Sequence, residues 1–185
     1  MASASHTGLT PFSYAILALV GEGGAGPHDL VRMMRQGRIY WAAAESHYYS
    51  EPKRLERLGY LTSRKEPGRT RQRTHYELTE QGLEALRAWV AEPSTLPRIQ
   101  HEAVVRLLSS DLTDEKVVLE SLQAMRTDIA DASARLDTAE AVAKTLPHRE
   151  RYLGLVHRLG RALLQTHLDW LDEVERELGG PPRRA

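Results

Sequence analysis

Between positions 53 and 76 the chain carries eight basic side chains, Lys53, Arg54, Arg57, Arg64, Lys65, Arg69, Arg71 and Arg73, against two acidic ones, Glu56 and Glu66. Eight minus two is +6 over 24 residues, in a chain whose 25 basic and 25 acidic residues cancel overall. Such a cluster suits a polyanion, although a hairpin decorated with arginines for solubility would have the same composition. The stretch just before it favours the first reading. Ser46, His47, Tyr49, Ser50 and Lys53 are short or polar groups of the kind that meet base edges or phosphates from a helix. Arg69, Arg71 and Arg73, with Lys65 in support, are expected to meet phosphate or enter a minor groove.

Other chemistries lack their residues. There is no cysteine, so disulfides, thiolate catalysis and cysteine-ligated metals are excluded. His148, His157 and His167 are spaced 9 and 10 apart, which does not put a metal-ligating pair on one helix face. No phosphate loop or nucleophile elbow occurs, and pairs such as Asp172–Glu173 read as a solvated helix face. No enzymatic activity, no cofactor and no metal are expected. No apolar run is long enough to cross a bilayer, and residues 1–8 do not read as a signal peptide, so a soluble cytoplasmic protein with no membrane partner is expected.

The elements that would position the basic cluster can be read in order. Proline opens a short buried helix over 11–20, and the glycines of 21–26 stop it. A second helix starts at Pro27, and a third covers 43–58, with Leu55 and Leu58 facing the core. Residues 60–65 and 75–78 form a hairpin around a type II turn at Glu66-Pro67-Gly68-Arg69, with 70–73 as a donor-rich loop. Thr79 caps a helix over 80–91. Trp41, Trp89, Phe12 and Tyr60 are read as core residues. Three helices followed by a two-stranded hairpin is the layout of a winged helix-turn-helix, in which the third helix faces the major groove and the wing lies along adjacent phosphates.

The 185 residues allow more than one unit. The expected division is 1–92 for the winged helix, 93–97 for a proline-bounded linker, 98–180 for a helical domain and 181–185 for a flexible tail. In the helical domain, a helix over 98–110 precedes a turn and a helix capped by Thr113. In that helix Val118, Leu122, Met125, Ile129, Ala132, Leu136, Ala139, Ala143 and Leu146 recur in alternating steps of 4 and 3, a heptad seam. A last helix over 149–178 has an apolar side that includes Leu163, Trp170 and Leu171, wider than a two-helix seam needs. The excess apolar surface asks for a second copy, with folding back on the N-terminal half as the alternative. Val118, Leu122, Met125, Ile129, Leu136, Leu163, Trp170 and Leu171 are the expected dimerisation residues. The fold class is thus mainly α: an N-terminal winged helix-turn-helix plus long antiparallel C-terminal helices forming a dimerisation domain.

These segments together resemble the PadR family of bacterial transcriptional regulators, in the longer subfamily with a helical C-terminal domain. Leu9-Thr10-Pro11-Phe12-Ser13-Tyr14-Ala15-Ile16-Leu17 is similar to the family's opening helix. Trp41, eight residues before Tyr49, resembles the aromatic residue ahead of its recognition helix. Lys53-Arg54-Leu55-Glu56-Arg57-Leu58-Gly59-Tyr60-Leu61 resembles the end of that helix and the first wing strand. Tyr76-Glu77-Leu78-Thr79-Glu80-Gln81-Gly82, the most specific stretch, matches the second strand and the helix after it. Leu107-Leu108 to Asp111-Leu112 and Leu168-Asp169-Trp170-Leu171-Asp172 look like its C-terminal domain.

Three positions depart from the family pattern. Pro52 replaces a usual leucine and should kink or shorten the recognition helix. Ala44 stands where a Ser/Thr cap is common, so the helix start is expected to slip towards Ser46, and Pro27 replaces a usual glycine. The resemblance implies a homodimer on a pseudo-palindromic double-stranded operator, acting as a repressor and released by a small aromatic effector bound between the two halves. Tyr14, Tyr152, His157 and Trp170 are the candidate effector contacts, each with a structural role as the competing reading. The alternative function is a winged-helix protein-interaction module that does not read DNA sequence, supported by the damage Pro52 would do to α-helical base reading.

Overall fold

Thr10 starts the first helix with a reciprocal cap: its hydroxyl accepts from the Ser13 amide at 3.2 Å, and the Ser13 hydroxyl accepts from the Thr10 amide at 2.9 Å. With Pro11 in the first helical position, two otherwise orphaned amides are satisfied before the helix begins. The computed structural model of the protein describes residues 8–36, 40, 43–67 and 72–179. Its elements run α1 (Pro11–Val20), α2 (Pro27–Gln36), α3 (His47–Arg57), β1 (Leu61–Glu66), β2 (Arg73–Leu78), α4 (Glu80–Val90), α5 (Glu102–Leu108), a 3-10 turn (Ser110–Leu112), α6 (Glu115–Ala143) and α7 (Pro147–Leu178). They form two units, parted between Leu96 and Pro97.

In the first unit Ile16, Leu17, Leu30 and Leu55 are fully buried, one set of core residues shared by α1, α2 and α3. Tyr76 joins them from β2. The glycine-rich segment after α1 does more than stop a helix: Ala25 exchanges both backbone hydrogen bonds with Tyr76 at 3.0 Å, adding a bridge to the hairpin edge. The hairpin is antiparallel, with Glu66 opposite Arg73, Arg64 opposite His75 and Thr62 opposite Glu77. Arg73 and Thr74, expected in or beside a loop, are therefore ladder residues. Of the expected turn and the loop after it, 68–71 lie outside the described residues, as does Trp41.

Two glycines fix how the hairpin leaves α3 and meets α4. Gly59 has φ 83°, and the chain closes there through Tyr60 N–H donating to Leu55 O at 3.0 Å. Gly82, in the first turn of α4, sits so close to Tyr60 that a Cβ would come within 2.1 Å of its carbonyl oxygen. Thr79 locks this junction, accepting from Gly82 N–H at 3.0 Å and donating to Gly59 O at 2.7 Å.

The third helix starts later than the 43–58 span, in line with the expected slip towards Ser46. It begins at His47, not 43, and the turns ahead of it are closed by bonds such as His47 N–H to Ala44 O at 3.0 Å. Ser46 occupies the cap position but makes no side-chain cap bond. Pro52 does not break the helix, which continues to Arg57. Proline's fixed φ is helical, so the cost is one missing donor and crowding of the preceding turn. Here the ring is fully buried in the core, which offsets part of that cost.

In the second unit α6 and α7 pack antiparallel. Val118, Leu122, Ile129, Ala132, Leu136, Ala139 and Ala143 of α6 are buried, as are His157, Gly160, Leu164, Leu171 and Val174 of α7. The heptad reading of α6 thus describes the seam of a helix pair within one chain. Two ion-pair clusters hold the register: Arg126 with Asp172 and Glu175, and Arg161 with Asp137 and Glu140. Three boundaries differ from the sequence reading. α5 starts at Glu102 because His101 is extended and caps it, α6 is capped by Asp114 through Lys116 N–H rather than by Thr113, and α7 starts on Pro147 itself.

Candidate nucleic-acid interface

The third helix has two faces. Tyr48, Pro52 and Leu55 are buried. Ser46, Ser50, Lys53 and Arg57, spaced 4, 3 and 4, lie in one exposed row, with exposed His47 at its start. Arg57 was not singled out from the sequence, although its spacing from Lys53 was the signal for it. The His47 ring stands edge-on to Phe12 at 6.0 Å, and Phe12 also packs edge-on to Tyr48 at 5.2 Å. Tyr49 is half-buried, its hydroxyl 3.1 Å from Nδ1 of His28 at the start of α2.

A polar clamp behind this face sets the helix against α1. Ser13, fully buried, donates its hydroxyl to Glu51 at 2.6 Å. Arg54 donates to both oxygens of Glu51 at 2.7 and 2.9 Å, to the Ser13 hydroxyl at 2.9 Å and to Gly8 O at 3.1 Å. Burial alone would push the Glu51 carboxyl upward, but hydrogen bonds from Arg54 and Ser13 outweigh it and hold the group below the ordinary carboxylate range. Arg54, counted in the basic run, is therefore occupied with structure.

The wing is less positive than the sequence suggests. Arg64 pairs with Glu66 at 2.8 Å and also with Glu77, and Arg73 pairs with Glu66 at 3.1 Å. His75 sits between the same two carboxylates, with Nδ1 3.8 Å from Glu66 and Nε2 3.9 Å from Glu77. Glu51 and Glu77 fall just outside or across strands from the basic residues they neutralise, which a window of sequence cannot show. Lys65 donates to Thr74 at 2.8 Å, while Lys53 makes no ion pair among the described residues. Arg69 and Arg71 lie outside the described residues.

The candidate effector residues are not gathered into one place within either unit. Tyr14 is buried and stacked on Trp89, centroids 4.8 Å apart and planes 6° apart. In the second unit Tyr152 is 65 % exposed, whereas His157 is buried and its Nδ1 has no hydrogen-bond partner among the described residues. Trp170 stands edge-on to His101 at 5.6 Å, and His101 stacks on His167 at 5.1 Å. A cleft at the start of α3, lined by Thr10, Phe12, Ala43, Ala44, His47, Ser50 and Glu51, contains none of the four.

Of the expected dimerisation residues, Val118, Leu122, Ile129, Leu136 and Leu171 are buried within the chain, and Met125, Leu163 and Trp170 partly so. The large apolar side chains left exposed on α7 are others: Tyr152, Leu155, Val156 and Leu159, on one face at i, i+3, i+4 and i+7. Val105, Leu108, Leu112 and Val117 are exposed around the 3-10 turn. Among the described residues no group of three metal-ligating side chains converges, and no helix is long and apolar enough to cross a membrane.

Comparison with known proteins places this geometry. Residues 16–88 match the Transcriptional regulator PadR-like family, and residues 99–179 match Virulence activator alpha C-term, so the two matches span most of the chain. The chain is 26 % identical over 175 residues to the negative transcriptional regulator PadR of Bacillus subtilis, covering 87 % of this chain and 93 % of that protein. The crystal structure of Bacillus subtilis PadR in complex with operator DNA superposes with a TM-score of 0.73 at 20 % identity, covering 91 % of this chain and 99 % of the other. The same protein in complex with p-coumaric acid gives 0.58 at 19 % identity, covering 89 % and 98 %. The winged helix-turn-helix and the helical C-terminal unit agree with these matches: residues 16–88 carry a domain of the PadR-like family of transcriptional regulators, followed by a Virulence activator alpha C-term domain over 99–179.

Proposed function

We propose that this regulator is a cytoplasmic homodimer that reads a pseudo-palindromic operator and represses transcription. The observation that carries the reading is the exposed row Ser46, Ser50, Lys53 and Arg57 on a helix clamped to α1 by Ser13, Glu51 and Arg54. His47 and Tyr49 flank that row, and Lys65, Arg69, Arg71 and Arg73 on the wing reach the neighbouring phosphates, Arg73 by exchanging Glu66 for phosphate. The relative that is a negative regulator supports repression.

The dimer forms through the helical domain, residues 98–180, with 1–92 as the DNA-binding domain joined by the linker 93–97. The buried seam supplies a stiff helix pair, and the exposed stripe of Tyr152, Leu155 and Leu159 supplies apolar surface for the second copy. A small aromatic effector releases the DNA, with Tyr14, Tyr152, His157 and Trp170 as its candidate contacts. The solved complex of a relative with p-coumaric acid supports that chemistry. The alternative of a protein-interaction module loses its main support, since α3 persists through Pro52.

Fluorescence anisotropy against DNA from upstream of the chain's own gene, with scrambled DNA of equal length and two salt concentrations, tests the reading. Tight binding that prefers the upstream DNA and weakens steeply with salt is expected. Equal, weak binding to both would contradict it.

A further inference from the structure

His28 is the second residue of α2, exposed, and its ring meets Tyr49 of α3 edge-on at 84° with centroids 5.6 Å apart. The contact is a hydrogen bond of 3.1 Å between the Tyr49 hydroxyl and Nδ1 of His28. The ground under His28 is firm: Asp29 accepts from Gly26 N–H at 3.2 Å and from Arg32 at 2.7 Å, fixing the first turn of α2. Asp29 is thus occupied and does not compete for either ring. Tyr49 lies one residue before Ser50 and four before Lys53, at the edge of the row proposed to face DNA.

The direction of this bond follows from the two groups. A phenol O–H is a better donor than a neutral imidazole N–H, and an imidazole nitrogen is a better acceptor than a phenol oxygen. Tyr49 therefore donates, and Nδ1 accepts. With its only proton committed to His28, the Tyr49 oxygen offers lone pairs alone to anything beyond it. In the major groove it can accept from the amino groups of adenine N6 or cytosine N4. It has nothing to give to guanine N7 and O6, to thymine O4 or to a phosphate oxygen.

We infer that His28 is a positioning residue that sets the proton of the Tyr49 hydroxyl, making Tyr49 a reader of amino-bearing bases at one position of each half-site. This rests on the DNA-reading role proposed above for α3. His28 itself need not touch a base. Its effect is to turn a side chain that would otherwise accept any of the four base edges into an acceptor that discriminates among them.

The test is selection of the full-length chain on a library of duplexes with a randomised central segment, followed by sequencing of the bound fraction. The wild type should enrich a two-fold-symmetric motif with adenine or cytosine favoured about fivefold over guanine and thymine at one position per half-site, the strength of a single hydrogen bond. Tyr49→Phe and His28→Phe should each flatten that position and leave the rest of the motif intact, which also shows that the variants fold. The double variant should lose no more than either single one. His28→Asn, whose side-chain oxygen takes the place of Nδ1, should restore the preference.

Three outcomes overturn the inference while leaving DNA reading in place. His28→Phe could keep the preference that Tyr49→Phe loses, or weaken every sequence alike, or the position could favour guanine or thymine. A wild type that enriches no motif at all would overturn the proposed function, and the inference with it.

Discussion

Ser13 Oγ donates to Glu51 Oε1 at 2.6 Å across 38 residues of sequence, and this bond sets the recognition helix on the opening helix. Ser13 is also the residue that closes the cap of α1, so one hydroxyl serves the start of one helix and the placement of another. Ser13→Ala should cost roughly 1.5–3 kcal/mol, the range for a lost hydrogen bond to a charged group. Thermal unfolding should show this loss, and operator affinity should fall with it.

The same clamp predicts acid sensitivity. Burial opposes ionisation of Glu51, but bonds from Arg54 and Ser13 prevail and keep its folded value below the unfolded one. The contribution is therefore complete above the ordinary glutamate range and disappears as pH falls through the folded value. Glu51→Gln should show a smaller loss of stability on acidification than the wild type, read by denaturant unfolding across that range.

On the wing, Arg73→Ala should weaken binding to operator and scrambled DNA alike and reduce the salt slope by about one. Glu66→Gln releases Arg73 from its carboxylate, leaves Arg64 paired with Glu77, and should tighten binding to both DNAs. Salt-dependent anisotropy measures the two together. An unchanged slope in Arg73→Ala would mean that the wing does not meet phosphate.

Charged substitution on α7 and truncation on α6 should behave differently. Leu155→Glu with Leu159→Glu changes exposed positions and should yield folded monomers by light scattering. Leu122→Ala empties a buried seam position and should destabilise the chain by about 2–5 kcal/mol. Folded dimers in the first variant would contradict the assignment of that stripe to the second copy.

Gly82→Ala should be severe for its size, because the new Cβ would fall 2.1 Å from the Tyr60 carbonyl oxygen and that atom is backbone. A loss of more than about 2 kcal/mol in chemical denaturation is expected, well beyond the usual surface substitution.

Local signals were legible in the sequence and long-range pairings were not. The limits of α1 followed from a proline start and a glycine stop, and the cap at Thr79 from its type, because each depends on a few adjacent residues. The heptad steps of α6 were equally plain, but a seam does not name its partner, and α7 of the same chain fills it. The basic run overstated the wing's charge because Glu77, one residue beyond it, pairs with Arg64 across the ladder, and because Arg73, read as a loop residue, is a strand residue opposite Glu66. The clamp of Ser13, Glu51 and Arg54 joins two helices through three ordinary polar residues, and nothing in their spacing announces it. Pro52 was legible only as a residue that should kink or shorten α3; that its ring is buried in the core, with the helix running on to Arg57, depends on long-range packing.

Hydroxyl-radical footprinting of the chain on its own upstream DNA shows whether two copies present α3 to successive major grooves. Two protected half-sites related by a two-fold axis are expected, with centres one helical turn or a whole multiple apart, about 10–10.5 base pairs per turn. A single protected half-site, or uniform protection without symmetry, would contradict that arrangement.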